Sequence, residues 1–397
     1  MTPGPLEGVR VLEAGLLIQG PQASLTMQEW GADVIKVELP GFGDQARWLP
    51  IARDDRRSAF FTAYNRGKRS MTLDLRGPRG RDVFLRLIER ADVVISNFKP
   101  GTMEEWGLGY ADAAARNGRI IYAMGSSFGP EGPDAAREGA DLSGQAAGGL
   151  ISTTGGNGAD PSAIGATIAD HIAGQNLVAG ILAALYARER TGHGQSVQTS
   201  LLGGQLWAQA GEYTRYLLSG EVSGPSARSH PMIPGIYGVF PTADGWIAIV
   251  GTAGPARDLF YRTIGRPDLI ERFHGLLYFE DDKAALWPIL DEVFASRTTA
   301  EWCDLLGAAG LRFAPVRNHA EVAADPGVRA NGYITAAEDS EAPGTVSEVV
   351  RAPVRFSDPL PPARPRPPEL GQHTEEVLLE CGYSWDDIAG LSAEGAI

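Results

Sequence analysis

Apolar and polar positions along the first 200 residues alternate between two periods. GVRVLEAG (8–15), ADVIKVEL (32–39), SMTLDL (70–75), ADVVISNF (91–98) and RIIYAMGS (119–126) are short runs rich in Val, Ile and Leu. Such runs read as strands buried in a sheet. Between the first two, QASLTMQEWG (22–31) sets Leu25, Met27 and Trp30 at helical spacing and stops at Gly31. After the third, GPRGRDVFLRLIERA carries Val83, Leu85, Leu87 and Ile88 on a mostly helical apolar face. Strand, helix and strand in succession predict right-handed crossovers on a parallel sheet.

Residues 147–165, AGGLISTTGGNGADPSAIG, are rich in Gly, Ser and Thr and predict a mobile loop. Beyond them Ile172, Leu177, Val178, Ile181, Leu182 and Leu185 keep helical spacing. Arg188 and Arg190 close that helix, with Gly192 as its stop. VQTSLL (197–202) fits either a strand or a helix start. Composition shifts after about residue 220, where SGEVSGPSARSHPMIPG reads as a linker. YGVFPTADGWIAIVG then predicts a hairpin turning at Asp244-Gly245, and 253–312 is mainly helical, with a capped start at Thr298 or Thr299. The expected division is a large domain over 1–220, a small domain over 221–325, and a return to the large domain over 326–397. That last part holds a strand-like stretch (346–358), a proline-rich strap (358–370) and a helix opened by Thr374.

Composition narrows the function classes. The chain has 397 residues, 43% hydrophobic and 21% charged, which fits a folded multidomain protein and excludes a disordered one. Its net charge of −14 argues against a nucleic-acid partner held by a global basic field. An anionic small ligand held by a few local Arg and Lys side chains stays open. Cys303 and Cys381 are isolated, so neither a disulfide framework nor a cysteine zinc site is expected. The N-terminus lacks the pattern of a secretory signal. No apolar stretch approaches the ~18–20 residues that span a bilayer. The expectation is a cytoplasmic protein without a membrane partner.

Several familiar motifs are missing. GLLIQGPQAS does not match a dinucleotide-binding glycine pattern, and there is no Walker A sequence, no metal-spaced histidine set and no nucleophile elbow. Three features remain. Asp170, in GATIADHIAG, precedes an apolar-periodic helix. It fits an N-cap, the commoner role for an aspartate there, and it also fits a carboxylate held ionised by the helix dipole and able to attack an activated acyl group. Lys68, Arg69, Arg76, Asn97 and Lys99 fall at the ends of early strands, where open α/β sheets bind ligands. Arg137 precedes the GADLSGQAAGG segment.

Read together, LEGVRVLEAG, GADVIKVELPGFGDQAR, NRGKRSMTLDL, ADVVISNFKPGTM, GATIADHIAG, GILAALYARERTGHGQ and LGQHTEEVLLECGYSWDDIAGL occur in one order. The string closely resembles the class III CoA-transferases, a group that includes formyl-CoA transferase, carnitine CoA-transferase and α-methylacyl-CoA racemase. The resemblance runs from about residue 5 to the C-terminus and is weakest across the small domain. It implies an α/β fold: a Rossmann-like large domain with a parallel sheet, a smaller α+β domain, and two ring-like chains interlocked as a homodimer. It also implies that Asp170 is the nucleophile. CoA contacts would come from Ile18, Gln19, Leu73, Arg76, Asn97, Phe98, Lys99 and, roughly, Arg137. No metal and no tightly bound cofactor are implied, since CoA and acyl-CoA are substrates alongside a carboxylic acid.

The implied reaction moves CoA between carboxylic acids through an aspartyl-CoA thioester. Two departures bear on it. Ala140 stands where the racemase branch has an acid/base histidine, which disfavours racemisation, although His171 lies beside Asp170. Leu39 and Glu105 stand where relatives carry basic residues near the nucleotide. The rival readings are an acyl-CoA racemase or epimerase and a non-catalytic acyl-CoA-binding protein.

Overall fold

The computed structural model describes residues 4–156, 160–225, 228–252, 254–275, 277–339 and 346–397. The early apolar runs become β1 (Arg10–Ala14), β2 (Asp33–Glu38), β3 (Arg69–Thr72), β4 (Val93–Ser96) and β5 (Ile121–Ser126), joined by β6 (Gln195–Ser200). They form one parallel sheet in the order β3-β2-β1-β4-β5-β6. The crossovers carry helices α1 (Gln19–Glu29), α2 (Ala59–Asn65), α3 (Pro78–Ile88), α4 (Thr102–Glu105) and α5 (Tyr110–Arg116). Leu12 pairs with Ile35 and Val94, and Val11 with Val34 and Val93, so successive residues face opposite sides of the sheet. The Leu12 side packs on Phe84, Leu87 and Leu378. The Val11 side packs on Met27, Trp30, Leu177 and Ile181. Both faces are covered, which is why these strands read as continuous apolar runs.

Beyond β5 come α6 (Asp141–Ala147), α7 (Leu150–Thr153), α8 (Ile168–Thr191) and α9 (Leu201–Ala208). The expected loop over 147–165 therefore holds a helical turn, α7, while residues 157–159 of that loop lie outside the described residues. The ambiguous VQTSLL is both things at once, the end of β6 and the start of α9. Helix α8 ends at Gly192, whose φ is 77° and whose N–H donates to the Arg188 carbonyl at 2.8 Å. With 24 residues and a mean hydropathy of 1.3 in its most apolar window, α8 is long and apolar enough to cross a membrane. That corrects the expectation that no stretch reaches this length. Leu177, Val178 and Ile181 are nonetheless buried against α1 and the sheet, and Ala173 against Leu201 of α9, the setting of an interior helix.

The chain divides into two units. One comprises Met1–Gly148, Gly165–Ala208 and Pro326–Ile397, and the other Gly149–Ile164 and Gln209–Asp325. In the first, β10 (Ile334–Glu338) and β11 (Val346–Val350) form an antiparallel pair. The helix Thr374–Glu380, which a last helix Trp385–Ala393 follows, docks on β3, with the Thr72 N–H donating to Thr374 Oγ1 at 3.0 Å. In the second unit, β7 (Ile236–Pro241) and β8 (Trp246–Thr252) make the hairpin through Asp244-Gly245, and β9 (Phe313–Pro315) joins β8. Phe240, Phe260, Phe294 and Trp302 fill its core. Thr298 caps the helix Thr299–Ala308 in a reciprocal box with Glu301. Within the linker before β7, residues 226–227 lie outside the described residues.

Candidate active site

Strand β1 lies between β2 and β4, so the connections from β1 and β4 leave in opposite directions and open a crevice at the carboxyl ends of the strands. The turn after β1 borders it. Leu17 there has φ of 61°, the only positive φ of a non-glycine residue among the described residues. Two side chains hold that turn. Asn97, just past β4, accepts from the Leu16 N–H at 2.7 Å and donates to the Leu16 carbonyl at 2.9 Å. Asp44 accepts from the Leu17 N–H at 3.0 Å. The result places Ile18 and Gln19 at the start of α1, both nearly fully buried. The Gln19 amide reaches the Ser126 carbonyl at 3.4 Å. A Cβ at Gly125 would stand 2.2 Å from Gln19 Oε1, so only glycine leaves room for this side chain.

Beneath the turn sits a buried ion network. Lys36 bonds Glu13 at 2.7 Å and Asp44 at 2.8 Å and donates to the Gly15 carbonyl at 3.0 Å. Lys68 bonds the other Glu13 oxygen at 2.6 Å and also the Pro21 carbonyl and Asn65. All four charged side chains are fully buried. Burial acts against the Glu13 carboxylate, and the two ammonium groups still hold its pKa at about 2. Lys68 is thereby removed from the expected strand-end ligands. So is Arg69, which binds Asp33, Glu376 and Glu380. Both basic residues are committed inside the protein and have no charge left for a ligand.

The remaining candidates fall in two groups. Leu73, Arg76 and Phe98 line one small cavity of about 190 Å³ with Leu39, Phe42 and Trp106. Arg76 is fixed there by a two-pronged bond to Asp74, at 2.8 and 2.9 Å, and stays largely exposed. Phe98 packs edge-on against Trp106 at 5.4 Å. Lys99 is exposed one residue on. Arg137 lies on the loop after β5, paired with Asp134 and stacked on Phe128 at 4.2 Å. No group of three or more metal-ligating side chains occurs among the described residues.

Asp170 is not the cap of α8. The helix begins at Ile168 with Thr167 at its N-cap, which puts Asp170 inside the first turn. The capping role belongs to Asp141, at the start of α6. Its Oδ1 accepts from the Ala169 N–H at 2.7 Å and the Asp170 N–H at 3.2 Å, while Oδ2 accepts from Gln145 at 2.6 Å. The amides that would have stabilised the Asp170 charge are therefore already used. Burial, and then the neighbouring Asp141 charge, push the Asp170 carboxyl up to about 7. This corrects the expectation that the helix dipole holds Asp170 ionised.

One turn below Asp170, a Cβ at Gly174 would lie 2.1 Å from Gln22 Oε1 and 3.0 Å from the Gln19 carbonyl. Glycine at this position lets the first turns of α8 and α1 touch, which brings the Asp170 face and Gln19 to one corner of the crevice. His171 turns elsewhere. Its Nε2 lies 2.9 Å from Tyr64 Oη on α2, and burial lowers its pKa against the opposing pull of Asp141. Burial also raises the Tyr64 phenol, with the Asp170 charge adding to the effect. Sequence reasoning passed over Asp141 and Tyr64. Asp141 follows Ala140 in a segment already singled out, whereas nothing in the pattern marks Tyr64.

Comparison with known proteins adds the family. A family model described as CoA-transferase family III matches residues 6–374. The succinate–glutarate CoA-transferase of Agrobacterium fabrum is 36% identical over 390 residues, covering 95% of each chain. The succinyl-CoA:mesaconate CoA-transferase of Haloarcula hispanica is 33% identical, over 96% of this chain and 97% of its own. Among solved structures, a CaiB/BaiF family protein from Brucella suis superposes with a TM-score of 0.83 at 33% identity, over 96% of this chain and 100% of that one.

Proposed function

This chain belongs to CoA-transferase family III and is an enzyme of that class, and from that premise we propose that it transfers CoA through a covalent thioester on Asp170. The observation that carries the reading is the setting of this carboxyl: half-buried, with its pKa at about 7, beside Gln19 at the crevice edge. A poorly solvated carboxylate is a better nucleophile than a hydrated one, and closing out water protects an acyl intermediate from hydrolysis.

The steps balance as follows. One Asp170 oxygen attacks the thioester carbonyl carbon, and the tetrahedral adduct collapses with loss of the CoA thiolate, leaving a mixed anhydride. The thiolate attacks the aspartyl carbonyl, releases the donor acid and leaves aspartyl-CoA. An acceptor carboxylate attacks that thioester and expels the thiolate again. The thiolate then attacks the acceptor's carbonyl carbon, giving the new acyl-CoA and restoring Asp170. In this scheme the Gln19 amide, whose bond to Ser126 is long, donates to the tetrahedral oxyanions. Leu73, Arg76 and Phe98 hold part of the CoA, with Ile18, Asn97, Lys99 and Arg137 along its path.

Incubation with acyl-CoAs, hydroxylamine trapping and mass mapping tests the reading. A hydroxamate at Asp170, absent in Asp170→Asn, supports it. Exchange of the substrate α-proton into deuterated water without any adduct sinks it in favour of racemisation. CoA binding with neither signal leaves a binding protein.

A further inference from the structure

The backbone of Leu17 lies in the left-handed region, at φ of 61°, where no other non-glycine residue among the described ones has a positive φ. For a bulky apolar side chain that conformation is strained, and it persists only where the surroundings impose it. The neighbours of Leu17 give the strain a place to act. Leu16 before it is clamped by Asn97 on both its N–H and its carbonyl. Ile18 after it is the N-cap of α1 and makes no side-chain bond to the helix. The Gln19 side chain has only its 3.4 Å contact to the Ser126 carbonyl. The direction in which the first turn of α1 leaves β1, and with it the place of the Gln19 amide, therefore depends on the backbone of Leu17.

One side chain from outside the turn imposes that backbone. Asp44, on the loop after β2, is fully buried, and its Oδ1 accepts from the Leu17 N–H at 3.0 Å and the Ala46 N–H at 2.8 Å. Its Oδ2 meets Lys36 Nζ at 2.8 Å, and its own N–H donates to Glu38 at 2.9 Å. Lys36 also donates to the Gly15 carbonyl at 3.0 Å, two residues before Leu17. The carboxylate is thus fixed by Lys36, Ala46 and Glu38, and it presents an oxygen to an amide whose direction changes with the Leu17 φ. A hydrogen bond to a buried, charged acceptor is stronger than a neutral one and opposes the relaxation of the strained residue.

Building on the CoA-transfer reading, in which Gln19 donates to the oxyanion, we propose that Asp44 is a positioning residue. By holding Leu17 in the left-handed conformation it sets the start of α1 and aims the Gln19 amide. It acts through the backbone of the turn and not by contact with substrate.

The test separates conformation from packing at Leu17, reading acid release in a single turnover of the full-length enzyme at saturating donor, with the best of acetyl-, succinyl- and glutaryl-CoA. Glycine takes a positive φ without strain, whereas a β-branched residue resists it. Leu17→Ile should therefore release acid about tenfold more slowly than Leu17→Gly, with half-saturation within about threefold. A packing role would reverse that order, since isoleucine keeps the apolar volume. Asp44→Asn sets an amide nitrogen against either Lys36 or the Leu17 N–H, so that donor meets donor. It should slow release about tenfold, and adding Leu17→Gly should restore about fivefold. Asp44→Ala, which removes the acceptor outright, should behave alike and serves if the asparagine variant folds poorly. Leu17→Ile as fast as Leu17→Gly, or no recovery in the double variant, overturns the proposal. If the wild type releases acid from none of the three donors, CoA transfer has failed by itself. Hydrogen exchange at the Leu16 N–H, which Asn97 holds at 2.7 Å, then decides the turn. Exchange about tenfold faster in Asp44→Asn, and slowed again by Leu17→Gly, upholds the assignment, and unchanged exchange overturns it.

Discussion

At the scale of single residues, the site depends on which carboxyl takes the helix amides. Asp141 has them, and burial, then the Asp141 charge, raise the Asp170 carboxyl to about 7, where an exposed aspartate would have lost its proton. The first-half reaction should therefore rise with pH to a plateau above about 7. The same displacement has a stability consequence of fixed sign. Between the unfolded aspartate value near 3.8 and the folded value of about 7, the native state binds more protons than the unfolded one. Stability then falls as pH rises through that window. Asp170→Asn, which mimics the protonated side chain, should abolish transfer and flatten this decline, so that the variant melts above the wild type at pH 8. A variant no more stable than wild type at that pH removes the basis for the perturbed carboxyl. Asp141→Asn keeps an acceptor for the two amides while deleting the charge. It should move the activity midpoint to lower pH with little loss of stability. Asp141→Ala should also cost about 0.5–2 kcal/mol, as lost caps do, measured by urea titration.

At the scale of elements, two close approaches build the corner where Asp170 and Gln19 meet. Gly174→Leu would drive side-chain atoms into Gln22 and the Gln19 carbonyl. The expected cost is about 1–3 kcal/mol, with a fall in kcat larger than any rise in KM because the two reacting faces separate. Gln19→Ala, which leaves the Gly174 contact between α1 and α8 in place, should lower kcat about 10²-fold through loss of an oxyanion donor. These elements also mark how far the sequence could be read. The five early strands were legible because a sheet covered on both faces leaves uninterrupted Val and Ile runs, and α8 because its buried side keeps helical spacing. The same logic misled at Lys68 and Arg69. A lysine buried against a carboxylate of another strand looks, in one dimension, like a strand-end cation awaiting an anion. Asp170 misled for a related reason, since its cap lies on α6, 29 residues away. Tyr64 was invisible because its meaning comes from His171, 107 residues later. Periodicity reports which residues are buried, and long-range polar partnerships leave no trace in it.

At the scale of the whole molecule, we propose that the chain self-associates as the sequence resemblance leads one to expect, and apolar side chains left at the surface support it. Trp207 is 74% exposed, and Leu217, Leu218 and Val222 are 79%, 83% and 77% exposed. Side chains of this size, three of them within six residues, are characteristic of surfaces that meet a partner. We predict a homodimer at micromolar concentration by sedimentation equilibrium, and a shift towards monomer when Leu217 and Leu218 are both changed to Asp before folding. A monomeric wild type overturns the association itself. Interlocking makes a sharper demand than association, because two threaded chains cannot part unless one of them opens. Differently tagged dimers mixed under native conditions should form no hybrid over days, whereas unfolding and refolding the mixture should produce hybrids in statistical proportion. Ordinary surface contact would let subunits exchange at a rate that rises on dilution. Hybrids forming freely in native buffer would therefore leave a dimer standing and remove the threading.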